Sequence, residues 1–439
     1  MIQGSDGISL AHGAAPKLMG GARRLSLVTA MFLIAAFVAW TAGTSYARPT
    51  LADSVVVSNF GTLFAGSFET FAAGSVFNSS PEFLVIGCKK ATGAKSCTDN
   101  TLLGDGNGAA GDAQSSLTGD IAVAVPLGIA GVFPNGFVET YPFGANGNSS
   151  ATSIIVSPAG APDLTGISLG QGVAFEDPFD GVHTLGLDIL AVANFTPLVV
   201  GPDLGIPGLG LCAPNAPGFS LGTISEYDTT FLLPGINDTP PVNNSPVTGL
   251  TPPATTFSHN ATIGGCDTFL LGPVGVAFDD SGDLFVVNET GKYVTVYAPG
   301  AHGNAIPIAF IGAIGPTAGA FVDPLFVAVS RDGSTMYVTD EGDNSIKIFD
   351  VFTNFELFAF TGTQTGTISG RFTKLKRPQG IALDASGEHL YVVNNNINSL
   401  SMFENFSGGG NISPTLTISG RQSKLNFPVG VTLPAFPAP

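Results

Sequence analysis

The feature that most constrains this chain is a phrase that recurs three times in its C-terminal part. The copies read "GPVGVAFDDSGDLFVVN", "DPLFVAVSRDGSTMYVTD" and "RPQGIALDASGEHLYVVN". Each copy is an apolar segment, a turn with Gly, a second apolar segment and a terminal Asn or Asp. The turns at Asp280–Gly282, Arg331–Gly333 and Ala385–Gly387 recur about every 50 residues, a period typical of propeller blades.

Each repeat predicts four short antiparallel strands, which we name a to d. In the first copy these are "GVAFD", "DLFVVN", "KYVTVYAPG" and "IPIAFIG"; in the second, strand d is assigned to "FELFAFTG" at residues 355–362. Few stretches combine a helical period with good helix formers, which favours an all-β class. Counting the more divergent copies nearer the N-terminus, the chain has six b strands, ending near Asn59, Val125, Asn194, Asn288, Asp340 and Asn394.

The two ends of the repeat array complement each other. The first blade, which begins with Ser54–Asn59, has no strand a, and the segment Phe427–Leu433 is a strand a without a blade. Pairing them closes a ring of six blades and removes an exposed sheet edge. A seventh blade between Asn194 and Asn288 is the alternative. A loop insertion near 200–260 is preferred there, because its Pro and Asn residues oppose strand pairing.

Residues 1–47 are predicted to be a signal peptide. A basic flank with Arg23 and Arg24 precedes an apolar run at 25–43, and small residues follow at Ser45 and Ala47. We therefore expect an extracytoplasmic protein, periplasmic or secreted, whose residues 48–439 form one propeller domain. The alternative is an uncleaved anchor, since the run is long enough to span a bilayer; only then would a membrane be a partner.

The four cysteines fit an oxidising compartment. The economical pairing is Cys88 with Cys97 and Cys212 with Cys266, although four cysteines allow three connectivities. A zinc site is the competing interpretation. Neither a CxxC pair nor an HxxxH pair supports it.

The charge balance excludes one class of partner. The chain carries 16 Lys and Arg against 33 Asp and Glu, a net charge of −17. Broad nucleic-acid binding needs a basic surface, so we expect none. A protein or a glycan held at one face of the propeller is the expected partner.

The repeats resemble those of the NHL family of β-propellers. The family phrase is carried in the first copy by Pro273, Gly275, Val276, Asp279, Gly282, Val286 and Asn288. It recurs in the last copy as Pro378, Gly380, Ile381, Asp384, Gly387, Tyr391 and Asn394. The middle copy departs at Phe326 and Ser330, where the family prefers Gly and Asp. The resemblance implies a propeller over 270–433, and it does not imply a reaction, because propellers host many functions.

Some similar propellers are enzymes, and the resemblance shows where their residues would lie. Gluconolactonase-like hydrolases bind a divalent metal at the central channel, and NHL-type lyases place a His on the axis. The matching positions here hold no His; they are Gln171, Val274, Leu325, Gln379 and Val429. The histidines outside the predicted signal peptide (His183, His259, His302 and His389) fall outside that phrase. Glu176 takes the place of the repeated Asp and is a weak candidate metal ligand, or a simple Asp-to-Glu change.

No catalytic residues are assigned, since the chain has neither a G-x-S-x-G phrase nor a phosphate-binding G-x-x-x-x-G-K phrase. No cofactor is expected either. The repeated Asp and Asn oxygens suit Ca²⁺ chemically. They recur once per blade, however, so the better interpretation is that they bond nearby backbone N–H groups.

One local feature departs from the acidic background. The segments "TISGRFTKLKRPQG" and "TISGRQSKLNFPVG" both connect a strand d to the next strand a, and they should lie on neighbouring blades. Together they hold six basic residues: Arg371, Lys374, Lys376, Arg377, Arg421 and Lys424. We predict an anion-binding patch. The alternative is a solvated loop whose cations neutralise Asp340, Glu341 and Asp343.

The sequence therefore favours an exported, non-catalytic propeller that binds a partner of unknown identity. The alternative is a metal-dependent hydrolase or lyase working in the central channel, which would need several carboxylate or amide side chains on the axis.

Overall fold

The fold is seen in a computed structural model of the chain. It describes residues 51–60, 66–86, 110–114, 119–126, 137–142, 144–147, 149, 151, 153–156, 170–176, 189–195, 222–229, 257–312, 317–351 and 362–433. The predicted signal peptide at 1–47 lies outside these residues. So do Cys88, Cys97 and Cys212, so the disulfide pairing stays a prediction. Within the described residues, no helix is both long and apolar enough to cross a bilayer.

The described residues form 24 strands and almost no helix. The first eleven strands are β1 (Val55–Asn59), β2 (Ser67–Phe71), β3 (Phe83–Ile86), β4 (Asp112–Gln114), β5 (Ile121–Val125), β6 (Phe137–Tyr141), β7 (Ser153–Val156), β8 (Gly170–Phe175), β9 (Ile189–Asn194), β10 (Thr223–Thr229) and β11 (Phe257–Ile263).

The more regular C-terminal part supplies the rest. Its strands are β12 (Pro273–Phe278), β13 (Leu284–Asn288), β14 (Tyr293–Tyr297), β15 (Ala309–Ile311), β16 (Pro324–Val329), β17 (Thr335–Asp340), β18 (Ser345–Val351), β19 (Gly362–Ile368), β20 (Pro378–Leu383), β21 (Leu390–Asn394), β22 (Ser399–Phe403), β23 (Leu416–Ser419) and β24 (Pro428–Thr432).

The strands group into six four-stranded antiparallel sheets, the blades. Blade 1 has the strand order β24-β1-β2-β3, and blades 2 to 6 follow as β4–β7, β8–β11, β12–β15, β16–β19 and β20–β23. This confirms the six-bladed, all-β prediction. Each predicted b strand ends at the residue that the repeat indicated, from Asn59 in blade 1 to Asn394 in blade 6.

The predicted closure of the ring is also confirmed. β24 pairs antiparallel with β1, with Val57 opposite Val431 and Ser58 opposite Gly430. One further backbone hydrogen bond extends the pairing: the amide of Phe60 donates to the carbonyl of Phe427 at 3.0 Å. The last strand therefore completes the first blade, and no unpaired edge is left at this position.

One strand assignment was wrong. Strand d of blade 5 is β19, which starts at Gly362, and not the apolar segment 355–362, most of which lies outside the described residues. β19 pairs with β18 across a register shift between Ile348 and Phe349. The outermost strand of a blade is partly exposed, so a polar segment such as "GTQTGTI" can fill it, and an apolar run is a poor guide there.

The apolar core is divided into six clusters, one between each pair of neighbouring blades. The cluster between blades 6 and 1, for example, packs Val57 and Val431 against Tyr391 and Leu400. The cluster between blades 4 and 5 packs Phe285 of one against Phe349 of the other. Each blade is therefore held to both neighbours by apolar burial, in addition to the strand pairing that closes the ring.

The innermost strands approach one another through glycine. A β-carbon on Gly275 would lie 2.4 Å from the carbonyl oxygen of Leu325, and one on Gly172 would lie 2.1 Å from that of Val274. Gly380 is equally close to β24, with 2.6 Å to the carbonyl oxygen of Val429. No side chain fits in such gaps, which explains why the repeat demands Gly at this position of strand a.

Candidate functional site

Two repeated loops present basic side chains on neighbouring blades. Loop A (370–378) connects β19 to β20, and loop B (420–428) connects β23 to β24. Their burial is the same at nearly every position, with Leu375 and Leu425 buried as anchors. Each loop is also pinned by a hydroxyl near its start, since the side chain of Thr373 donates to the carbonyl of Gly370 at 2.8 Å. Ser423 makes the same bond in loop B.

Because the two loops share this backbone conformation, their basic residues are exposed at equivalent positions. Lys374 and Lys424 both adopt left-handed backbone angles, with φ of 58° and 63°. Both lysines and both arginines, Arg371 and Arg421, are exposed. The guanidinium of Arg371 lies over the ring of its neighbour Phe372, 4.5 Å from the ring centroid. The two strands that follow the loops are in direct contact around the ring, so the four cations belong to one face.

The remaining predicted patch residues have different surroundings. Arg377 is exposed but donates to the carboxylate of Glu341 on blade 5, with 2.6 Å from Nε to Oε1. Lys376 is exposed, and its backbone amide donates to Asn394 at 3.0 Å. No described carboxylate forms an ion pair with Arg371, Lys374, Lys376, Arg421 or Lys424. Five of the six predicted cations are thus available for a ligand as far as the described residues show.

The acidic residues that could have neutralised the patch are mostly engaged elsewhere. The carboxylate of Asp340 accepts the backbone amides of Val322 and Asp323, both at 2.8 Å. Asp343 pairs with Lys347 in its own blade. Only Glu341 faces the patch, through Arg377.

The repeated Asn and Asp residues at the ends of the b strands have structural roles, as their spacing indicated. Asn288 is fully buried; its oxygen accepts the amide of Leu271 at 2.7 Å, and its nitrogen donates to the hydroxyl of Thr295. Asn394 and Asn59 hold loops A and B in the same way, accepting the amides of Lys376 and Asn426. These side chains shape the loops, because each one satisfies a backbone donor that would otherwise be unpaired.

The positions that would match an axial His carry side chains with little chemistry. They lie on the innermost strands beside the close backbone contacts, and they hold Gln171, Val274, Leu325, Gln379 and Val429. Gln379 is tied to Glu341 at 2.9 Å. Glu176 lies elsewhere, at the end of β8, where it is 3% exposed and its amide donates to the carbonyl of Ile189. No group of three metal-ligating side chains within the described residues includes Glu176.

A different cluster was not recognised as a group from the sequence. His389 and Asp384 lie on the turn between β20 and β21 of blade 6, and Asp53 precedes β1 of blade 1. Their ligand atoms all lie within 4.8 Å of one another. The only signal in the sequence was a His in a turn that begins with the repeated Asp. Its partner Asp53 is more than 300 residues away, so the pairing depends on the closure of the ring.

Comparison with known proteins gives one partial family match. The model described as "Lactonase, 7-bladed beta-propeller" matches residues 271–422, which hold β12 to β23, the three C-terminal blades. No curated protein matches the chain. The chain is a six-bladed propeller in its described residues, so the blade number of that family is not reproduced.

Solved structures with a similar fold belong to proteins of different kinds. A nidogen/laminin complex is 10% identical with a TM-score of 0.45, covering 87% of this chain and 98% of that chain. The periplasmic gluconolactonase of Pseudomonas aeruginosa is 14% identical with a TM-score of 0.45, covering 86% and 98%. A 6-phosphogluconolactonase-like protein of Bacteroides fragilis is 13% identical with a TM-score of 0.40, covering 88% and 98%. At such identities only the fold is comparable.

Proposed function

We propose that this protein is an exported β-propeller that binds an anionic polysaccharide, without catalysis, through loops A and B. The observation that carries the proposal is the equivalent outward placement of Arg371 and Arg421, and of Lys374 and Lys424, on two neighbouring blades. A repeated cation spacing suits a ligand that is itself a repeating polymer of negative charge.

A third loop of the same shape argues that these cations are not needed for folding. The loop at 265–273 precedes β12, and Thr268 donates to the carbonyl of Gly265 as Thr373 does to Gly370. Phe269 takes the left-handed position of Lys374, with φ of 55°. This loop has no basic residue. The same backbone therefore forms without the cations, which supports a binding role for the charges in loops A and B.

Exposed aromatic rings beside the cations favour a sugar over a simple ion. Phe372 is 47% exposed and Phe427 is 39% exposed, one in each loop. Guanidinium groups form paired hydrogen bonds with carboxylates and sulfates. Arginine and aromatic side chains are also the residue types enriched where proteins bind partners. Together they offer a flat apolar surface and a charge to each acidic sugar unit.

Binding is tested with purified protein and immobilised polygalacturonate, with dextran as the uncharged control. We expect binding to the acidic polymer that weakens with added salt, and none to dextran. Reversing two charges with Arg371→Glu and Arg421→Glu should lower the affinity by roughly tenfold or more, since each 1.4 kcal/mol is about a factor of ten.

The matched control is Arg331→Glu. Arg331 is also exposed, but it lies on the turn between β16 and β17 and pairs with Asp280 at 2.8 Å. Its reversal should leave the affinity unchanged. An unaltered affinity in the Arg371→Glu, Arg421→Glu protein would refute the proposal, as would binding to an acidic protein alone.

A second candidate, lactone hydrolysis, is supported by the family match over residues 271–422. It predicts hydrolysis of an aldonolactone above the spontaneous rate, followed by acid release at constant pH. A rate equal to that of the buffer would remove this candidate and leave the polysaccharide proposal intact.

A further inference from the structure

The seam between blades 6 and 1 carries a cluster of potential metal ligands on the turn side of the ring, at the opposite strand ends from loops A and B. Asp384 directly follows strand a of blade 6, and His389 directly precedes strand b. The His389 Nδ1 atom lies 2.9 Å from Oδ2 of Asp384. Oδ1 of Asp384 accepts the backbone amides of Glu388 and His389, at 2.8 and 2.9 Å. The turn therefore holds both ligand groups in fixed positions.

The second carboxylate comes from the other blade. The side-chain hydroxyl of Tyr391 donates to Oδ2 of Asp53 at 2.8 Å. Leu51, two residues earlier, is 2% exposed and packs in the apolar cluster between blades 6 and 1. Asp53 is thus anchored by its chain neighbour and by a hydrogen bond, which brings it to within 4.8 Å of the other two ligand atoms.

The second ring nitrogen of His389 supplies an independent observation. Its Nε2 lies 3.7 Å from Oε1 of Glu404, on the turn between β22 and β23. Both residues line a cavity of about 410 Å³ together with Phe406 and Ser407. A metal-bound imidazole usually donates its other N–H to a carboxylate, which fixes the ring and its tautomer. Glu404 is placed for that task, and the cavity gives access to solvent.

We propose that Asp53, Asp384 and His389 form a binding site for a divalent transition metal, with zinc as the best-suited ion. Two carboxylates and one imidazole are a ligand set that zinc accepts, with a water molecule as the fourth ligand. On binding, Nδ1 of His389 coordinates the ion, and its proton is held instead at Nε2, facing Glu404. A hard ion such as Ca²⁺ takes only oxygen ligands and would make no use of the imidazole.

The site would also clamp the ring. Asp53 belongs to blade 1 and the other two ligands belong to blade 6, so a bound ion links the same two blades that β24 links through its pairing. Because the ion binds only when both blades are in place, it stabilises the closed ring by mass action.

The experiment is a calorimetric titration of chelator-treated protein with Zn²⁺, together with a thermal melt with and without the ion. We expect one site per chain with a raised melting temperature. His389→Ala should lower the affinity at least tenfold and remove the rise in melting temperature. His302→Ala is the matched control, since His302 is an exposed histidine on a turn of blade 4 whose ring contacts only the carbonyl of Gly300 at 3.0 Å.

A milder variant guards against misfolding. Asp53→Asn removes one charge from a partly buried position and should weaken Zn²⁺ binding while the strand content stays the same. If zinc binds equally well to the wild type and to both variants, or if Ca²⁺ binds and His389→Ala leaves its affinity unchanged, the proposed site is wrong. If the wild-type protein binds no zinc at all, the proposed site is also wrong.

Discussion

Two buried carboxyl groups, one in blade 1 and one in blade 2, should make the fold less stable as the pH rises. Glu69 on β2 is fully buried, and its carboxylate accepts from Asn59 and from the hydroxyl of Ser67. Asp112 on β4 is 6% exposed and accepts from Ser58 at 2.8 Å. The second oxygen of Asp112 has no hydrogen-bond partner within the described part of the chain.

Burial away from water is the main cause of the raised pKa of both carboxyl groups. Burial raises the pKa of Glu69 from 4.5 to about 8, partly offset by the hydrogen bonds from Asn59 and Ser67. Burial likewise raises the pKa of Asp112 from 3.8 to about 7. The negative charge of Asp112 adds to the effect on Glu69.

The sign and size of the effect follow from proton linkage. Below about pH 4 both groups are protonated in the folded and unfolded chains, so neither contributes. Between about pH 4 and 8 the folded chain holds more protons than the unfolded one, so the free energy of unfolding falls as the pH rises. Each pKa unit corresponds to about 1.4 kcal/mol. Each raised pKa therefore lowers the free energy of unfolding by roughly 4 kcal/mol by pH 8.

The assay is urea unfolding from pH 5 to 8, followed by far-ultraviolet circular dichroism. We expect the free energy of unfolding to fall by several kcal/mol in the wild type, and by about half as much in Glu69→Gln. Glu82→Gln is the control, because Glu82 is exposed on the same blade and should leave the slope unchanged. A wild-type stability that is flat or rises over this range would refute the reasoning, as would a Glu69→Gln slope equal to that of the wild type.

Three further predictions concern the ring itself, each measured as a change in the urea unfolding midpoint. Gly275→Ala should cost about 3 kcal/mol or more, because the new methyl group meets backbone at 2.4 Å, whereas Gly408→Ala, with open space around it, should be neutral or slightly stabilising. Asn394→Ala should cost about 1–3 kcal/mol, since the amide of Lys376 loses its acceptor; a change near zero would contradict the loop-holding role. Val431→Asp buries a charge in the closing strand and should prevent stable folding, while the exposed Val322→Asp should not.

The sequence was a good guide wherever a residue type repeats in most blades. Buried Asn and Asp residues mark the ends of five of the six b strands, and Gly marks most of the contacts between innermost strands, because both satisfy backbone requirements that recur around the ring. The closing strand could be recognised because Phe427–Leu433 repeats strand a with no blade behind it. The predicted six-bladed ring followed from these two signals.

Contacts between different blades could not be read in the same way. Strand β19 was also misplaced, because this outer strand is polar and an apolar segment precedes it. The hydrogen bond between Asp53 and Tyr391 joins residues 338 positions apart. The pairing of Ser58 with Asp112 likewise crosses from one blade to the next. Such contacts appear once, so no internal repeat marks them, and they become visible only when the ring is closed.

The glycine contacts at the axis have a geometric consequence. The six innermost strands stand around the axis at the corners of a hexagon, so each lies as far from the centre as from its neighbours. The neighbours are close, since a β-carbon on Gly275 would be 2.6 Å from the backbone of Phe326. Spacing this tight leaves no room for a side chain between neighbouring strands at that level. Loops A and B and the turn with Asp384 lie at opposite ends of strand a, so an acidic polymer held at one end would not compete sterically with an ion held at the other.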